Sequence, residues 1–290
     1  MPADKRKMIS TGISSLDPIV SGGFQAGTFA LLMGELGTGY DEFLITSACN
    51  LARLGSQRGA PKGVQCPKEI WWATFMRQPS DIVDEVSDSF SPEFSDVFQK
   101  YVKLRDFFPE YAKTAPYLPR KIMDEFTKGK GAHKLPKTFE ELGKAGLSPS
   151  PLLLESLADF LDKRAPENMV VIHTLTDLVR MYRTSEEEWR SFLLFLHWVQ
   201  RSVKRWGGVI YTTLMKGFLE PRMEAELLPC FDNILNFERE THGHTQQRVM
   251  SINKFKRLAL PMEEVAKMQI KVTPRGGFEV ERIRLVERLK

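Results

Sequence analysis

Gly34-Glu35-Leu36-Gly37-Thr38-Gly39-Tyr40-Asp41 follows the apolar run Thr28-Phe29-Ala30-Leu31-Leu32-Met33. Its glycines have the spacing of a phosphate-binding loop, G-x-x-x-x-G-K-[ST], which joins a strand to a helix. Tyr40 occupies the lysine position and Asp41 the serine or threonine position. The loop therefore keeps the turn that cradles phosphate and lacks both groups that bind its charge. A phenol is neutral at neutral pH, and a carboxylate repels polyphosphate. At about 4 Å and an effective dielectric near 20, each unit charge contributes about 4 kcal/mol. Exchanging an attraction for a repulsion should weaken nucleotide binding by orders of magnitude.

The elements around the loop alternate. Phe29–Met33 is apolar throughout, as a central parallel strand covered on both faces should be. A helix from Asp41 places Leu44, Ala48, Leu51 and Ala52 on one stripe and is expected to stop at Gly55 as a C′ glycine. Glu69–Phe75 reads as a second strand. A helix follows from Gln78-Pro79-Ser80-Asp81, capped by serine or aspartate, and Tyr101–Phe108 reads as a third strand. Pro151–Arg164 is a helix and Met169–Ile172 a buried strand. Glu186–Trp206, with Trp189, Phe192, Leu193, Leu196, Val199 and Val203 in helical period, is the clearest helix, and Val209–Thr213 is another strand. From Cys230 onward come four strands, Ile234–Glu238, Arg248–Phe255, Gln269–Thr273 and Phe278–Ile283, the last two joined by the turn Pro274–Gly277. The expected fold is α/β: a doubly wound, mostly parallel sheet flanked by helices, with an antiparallel C-terminal strand region.

Residues 109–150 interrupt this order with five prolines and the run Lys128-Gly129-Lys130-Gly131. They read as an inserted surface lobe in one domain spanning 1–290, with short helices at Arg120–Phe126 and Phe139–Lys144. Lys113, Arg120, Lys121, Lys128, Lys130, Lys134 and Lys137 give the lobe a charge that an acidic protein or nucleic acid would meet. Few aromatics are interleaved for base stacking.

The bulk numbers fit a globular protein: 290 residues, 42% hydrophobic, 27% charged. A net charge of +4 is too small to indicate nucleic acid unaided. Cys49, Cys66 and Cys230 form no C-x-x-C pair, which points to reduced thiols. No apolar run reaches about 18 residues and no signal-type apolar region follows Lys5-Arg6-Lys7, so the expectation is a cytoplasmic protein with no membrane insertion.

Ser10-Thr11-Gly12 through Leu16-Asp17, then Gly22-Gly23, Gly27 and Gly34–Gly39, resemble the entry segment and P-loop of the KaiC-like branch of the RecA superfamily of ATPases. The resemblance extends more weakly over most of the chain apart from 109–150. It implies a RecA-like fold, and it identifies the positions at which ATP chemistry should sit. The glutamate pair that activates water falls on Met76 and Arg77, and the Walker B aspartate falls on His173. Imidazole is a poor magnesium ligand. With Tyr40 and Asp41 these substitutions imply an inactive ATPase homologue with degenerate Walker motifs: no catalytic residue, no metal site, and ATP·Mg binding weak or absent. Gly34, Gly37, Thr38, Gly39, Tyr40 and Asp41 remain as a vestigial phosphate loop. Lys254 and Lys256, with Arg257, fall where the family reaches the ATP of a neighbouring subunit, although a basic solvent face of a strand is the reading favoured for them.

The implied role is a structural or regulatory protein that assembles with itself or with a paralogous ATPase. Two alternatives stand beside it: a nucleotide-binding protein in which Tyr40 caps the ligand and Lys254 and Lys256 hold phosphate, and a nucleic-acid-associated paralogue using the basic lobe. At the loop, Asp41 is expected to satisfy the first backbone amides of its helix and so fill the anion site from within. His173 reads as a hydrogen-bonded structural histidine rather than a proton donor or metal ligand. His242-Gly243-His244 reads as a solvated loop. Trp198 lies off the main stripe of its helix and marks a candidate interface.

Overall fold

A computed structural model describes residues 7–56, 64–114, 150–242, 245–255 and 267–282. In chain order the strands are β1 (Met8–Ile9), β2 (Phe24–Gln25), β3 (Thr28–Gly34), β4 (Val64–Gln65), β5 (Ile70–Thr74), β6 (Val102–Asp106), β7 (Met169–His173), β8 (Val209–Met215), β9 (Asn233–His242), β10 (Thr245–Lys254), β11 (Met268–Thr273) and β12 (Gly277–Arg282). The helices are α1 (Tyr40–Ser56), α2 (Pro79–Ser89), α3 (Pro92–Tyr101), α4 (Phe108–Thr114), α5 (Ser150–Arg164), α6 (Leu175–Tyr182), α7 (Glu186–Trp206) and α8 (Pro221–Leu227).

Nine strands form the main sheet in the order β12-β11-β10-β9-β3-β8-β7-β5-β6. From β9 to β6 every pairing is parallel, and from β9 outward to β12 every pairing is antiparallel. All seven residues of β3 are buried, and their side chains divide by parity. Ala30 and Leu32 join the core under α1, α2 and α3, whereas Phe29, Leu31 and Met33 join the core under α5, α6 and α7. A strand buried on both faces needs this unbroken apolar run. The expected sheet, with its parallel body and antiparallel C-terminal extension, is the sheet observed.

Several local expectations differ. Gly55 lies inside the last turn of α1 and is not its C′ residue. Gln78, not a serine or aspartate, occupies the N-cap of α2, and its backbone N–H is met by Asp81. Helices α3, α4, α6 and α8 were not expected, and the expected strand Tyr101–Phe108 is shorter, with Tyr101 ending α3 and Phe108 opening α4. Of the 109–150 stretch, only 109–114, all of α4 but its first residue, and the first residue of α5 lie among the described residues. The two short helices expected in it, Lys256, Arg257 and His244 lie outside them.

The entry segment is fastened to α1. Asp17 accepts from the Thr11 N–H at 2.8 Å and the Thr11 hydroxyl at 2.6 Å, and Asn50 of α1 donates to the Gly12 carbonyl at 2.7 Å. One turn earlier on α1, Thr46 Oγ1 accepts the Phe278 N–H of β12 at 2.8 Å, and Ser15 Oγ of the entry segment accepts the Val280 N–H at 2.9 Å. The free edge of β12 is thus partly occupied by side chains of the entry segment and of α1, which blunts an otherwise open sheet edge.

Candidate functional site

In an open α/β sheet the carboxyl ends of the strands form the usual binding crevice. Here that edge carries the loop Glu35–Gly39 after β3, Met76 and Arg77 after β5, Thr174 after β7 and Lys216 after β8. Gly34 closes β3 against its neighbour: a Cβ there would stand 2.8 Å from Phe237 Cβ and from Thr38 Oγ1. Thr38 is buried, and its hydroxyl donates to the Glu35 carbonyl at 2.7 Å. Gly37 adopts φ +72, a left-handed conformation that a side chain would strain. Gly39 backs onto Ile270 and Phe278 as α1 begins.

Tyr40 turns into the core. It is 6% exposed, and its ring meets Phe237 edge-on, with centroids 6.3 Å apart. Burial first, then Asp41 and Glu42, pushes its hydroxyl up to about 12. The residue at the lysine position is thus a neutral core side chain.

Asp41 points the other way, across the sheet edge. Its Oδ1 lies 2.8 Å from Nε2 of His173, the last residue of β7. The His173 side chain is 4% exposed and the Asp41 side chain 31%. With the carboxylate ionised, the imidazole Nε2–H donates. On its other flank the imidazole lies against Trp72, ring centroids 5.4 Å apart, and His173 Nδ1 and Trp72 Nε1 are both buried with no hydrogen-bond partner among the described residues. The His173–Thr174 peptide is cis. Beyond it the Thr174 hydroxyl caps α6 by accepting from the Asp177 N–H at 3.2 Å. Burial raises the Asp177 carboxyl above its ordinary range, against the opposing pull of Thr174 and then of His173 and Arg180.

The remaining groups on the edge are engaged within the chain. Arg239 of β9 donates to the Leu36 carbonyl at 2.9 Å, so a guanidinium rests on the loop from outside. Arg77 pairs with Glu85, and the Arg77 carbonyl accepts from Thr74 Oγ1 at 2.7 Å. Met76 is 48% exposed and Leu36 69%. Lys254 lies at a bulge of β10, where its ammonium donates to the Phe231 carbonyl at 2.6 Å. The structure therefore brings Asp41 and His173 together and leaves Lys254 apart from the loop.

Sequence reading missed Arg239 and the Asp41–His173 contact, and it expected Asp41 to serve the backbone amides of its own helix. No signal in the sequence pairs residues 132 positions apart; that pairing needs the strand order. For Arg239, the exposed alternate positions at the outer end of β9 were the available clue.

No family model matches the chain, and no curated protein matches it. Among solved structures, a KaiC-like protein from the hyperthermophilic archaeon Pyrococcus horikoshii superposes with a TM-score of 0.58 over 95% of this chain and 99% of that one, at 17% identity. The likeness is one of fold, and the fold is RecA-like α/β. No described helix is long and apolar enough to cross a membrane, and no group of three metal-ligating side chains occurs among the described residues.

Proposed function

We propose that this chain is a RecA-fold protein that does not run an ATP hydrolysis cycle and that acts as a structural or regulatory member of an assembly, with itself or with an active paralogous ATPase. The observation that carries the proposal is the Asp41–His173 hydrogen bond. In the family that the chain resembles, a hydroxyl at the first position and a carboxylate at the second serve Mg·ATP. Here the two side chains serve each other. A carboxylate held at this helix start repels phosphate, and the Nε2–H that faces it offers magnesium no lone pair on that side of the ring.

The neighbouring positions support the same reading. Tyr40 supplies no cation and is packed inward. Met76 and Arg77 supply no base, and Arg77 is bound to Glu85. The loop survives because β3 must turn sharply into α1, which is an architectural demand.

Calorimetric titration of the full chain with ATP·Mg, ADP and AMP tests this, together with a phosphate-release assay. The expected result is no binding stronger than about 7 kcal/mol, a dissociation constant of roughly 10 μM, and no phosphate release above the protein-free rate. Tighter binding of any of the three nucleotides would overturn the proposal. Loss of that binding in Arg239→Ala would then assign the phosphate to the guanidinium on the loop.

A further inference from the structure

Helix α7 is the longest among the described residues, and its outer face carries a leucine and charged side chains that neither the core nor the loop uses. Trp189, Phe192, Leu196, Val199 and Val203 point inward. Leu194 lies opposite them and is 70% exposed in the middle of the helix. Beside it Trp198 is half-buried: it packs against the core at the edge of this face, its ring stacked on Phe195 with centroids 5.8 Å apart and edge-on to Trp206 at 5.6 Å. Glu187 and Arg201, both exposed, stand seven residues before and seven after Leu194. A seven-residue spacing drifts by only about 20° around a helix, so the three residues form one line along the surface. Arg190 and Trp198 stand four residues either side of the same leucine.

We infer that this face of α7 is a self-association surface, on which a second copy of the chain docks its own α7 in the reverse direction about a two-fold axis through Leu194. The pattern is self-complementary under that operation, as an isologous interface requires. Leu194 meets Leu194 of the partner subunit on the axis. Glu187 comes opposite Arg201 of the partner subunit, and Arg201 opposite the partner's Glu187. Arg190 comes beside Trp198 of the partner subunit, where a guanidinium on an indole face is attractive.

The charge along the helix selects this occupant. Glu186, Glu187 and Glu188 fill the first turn, whereas Arg201 and Arg205 lie toward the other end. A parallel neighbour would set like charge against like, and a reversed copy satisfies both ends at once. Opposed helix dipoles favour the same direction. The i,i+4 pair of Arg190 with Glu186 is more than three-quarters exposed on both sides, so it holds Arg190 only weakly.

A 21-residue helix is about 31 Å long and offers a face about 10 Å wide. That is about 310 Å² a side, below the usual range of stable specific interfaces, so the dimer is a weak one that forms and dissociates with concentration. The surface lies on the α5–α7 layer, away from the Asp41–His173 contact, and the inference does not depend on whether nucleotide binds.

Sedimentation velocity of the full chain across a range of concentrations tests it, with far-ultraviolet dichroism to confirm folding. The expected result is a monomer–dimer equilibrium. Glu187→Arg or Arg201→Glu alone, which opposes like charges, should weaken it about tenfold or more. The double variant E187R/R201E should return it to within about threefold of the original, because both pairs are restored in reverse. Leu194→Cys should give an oxidised cross-linked dimer that the original chain does not give. A chain that stays monomeric throughout overturns the inference. So does a dimer that Leu194→Asp leaves intact, or a double variant as weak as the single ones.

Discussion

Replacing Asp41 with alanine removes the acceptor for a donor that has no other outlet. The His173 side chain is 4% exposed, and its Nδ1 already lacks a partner among the described residues. A hydrogen bond to a charged group is worth about 1.5–3 kcal/mol net, and the abandoned donor stays desolvated. The lost carboxylate at the start of α1 adds roughly 0.3–1 kcal/mol through the helix dipole. Asp41→Ala should therefore cost about 3 kcal/mol. Asp41→Asn keeps an acceptor oxygen within reach and should cost only about 1 kcal/mol.

The reverse deletion is milder. With His173→Phe the carboxylate, its side chain 31% exposed, regains water. Combining His173→Phe with Asp41→Ala should give a coupling energy of about 1–2 kcal/mol. Urea unfolding at neutral pH measures all four corners of the cycle. If Asp41→Ala costs less than about 0.5 kcal/mol, or Asp41→Asn costs as much as Asp41→Ala, the hydrogen bond does not hold the site closed and the reasoning fails.

Three further outcomes follow from other parts of the fold. Gly34→Ala forces a methyl to 2.8 Å from Phe237 and Thr38 and should cost about 3 kcal/mol. Gly37→Ala meets only the end of the Arg239 side chain and should cost about 1–2 kcal/mol for its left-handed backbone; denaturant midpoints would rank the two. Lys204→Met strands the buried Asp232, whose other contacts include the Phe29 N–H at 3.1 Å, and should cost about 3 kcal/mol. Adding Asp232→Leu should recover much of that loss. Burial pushes Tyr40 and Cys49 up to about 12 and Cys230 up to about 11. These groups hold protons more tightly folded than unfolded, so stability is intact below about pH 9 and falls as pH rises toward 12. Melting temperatures across that range should decline, and Tyr40→Phe should flatten the part above about pH 10.

The segments with an uninterrupted pattern were legible in the sequence. Phe29–Met33 proved to be the middle of β3, and α7 has the ends expected of it; Ser185 caps its start by accepting from the Glu188 N–H and Gly207 ends it with a left-handed φ of 68. The unexpected helices are short and sit against other signals. Pro92 and Pro221 open α3 and α8, each at the first turn, where its missing N–H costs nothing. Helix α6 follows β7 directly, and its spacing of Leu175, Leu178, Val179 and Tyr182 was there to be read. Gly55 looked like a terminator, but a glycine in a last turn can remain helical when the neighbouring segment, here Cys66 and Pro67, packs close. At the site, the identities of Tyr40, Asp41 and His173 were plain. Their directions were not, since one turns into the core and the other two meet only once β7 lies two strands from β3.

The bonds from β12 to Thr46 and Ser15 bear on how the chain acquires its shape during synthesis. Thr46 and the Phe278 amide are separated by 232 residues, which a ribosome takes about 12–46 s to add at roughly 5–20 residues/s. Throughout that interval Phe43 and Thr46 lack the strand that finally covers them, although Phe43 ends edge-on to Phe278 at 5.3 Å. The packing of α1, the helix that follows the phosphate-shaped loop, can therefore be completed only late in synthesis, after β12 has been made.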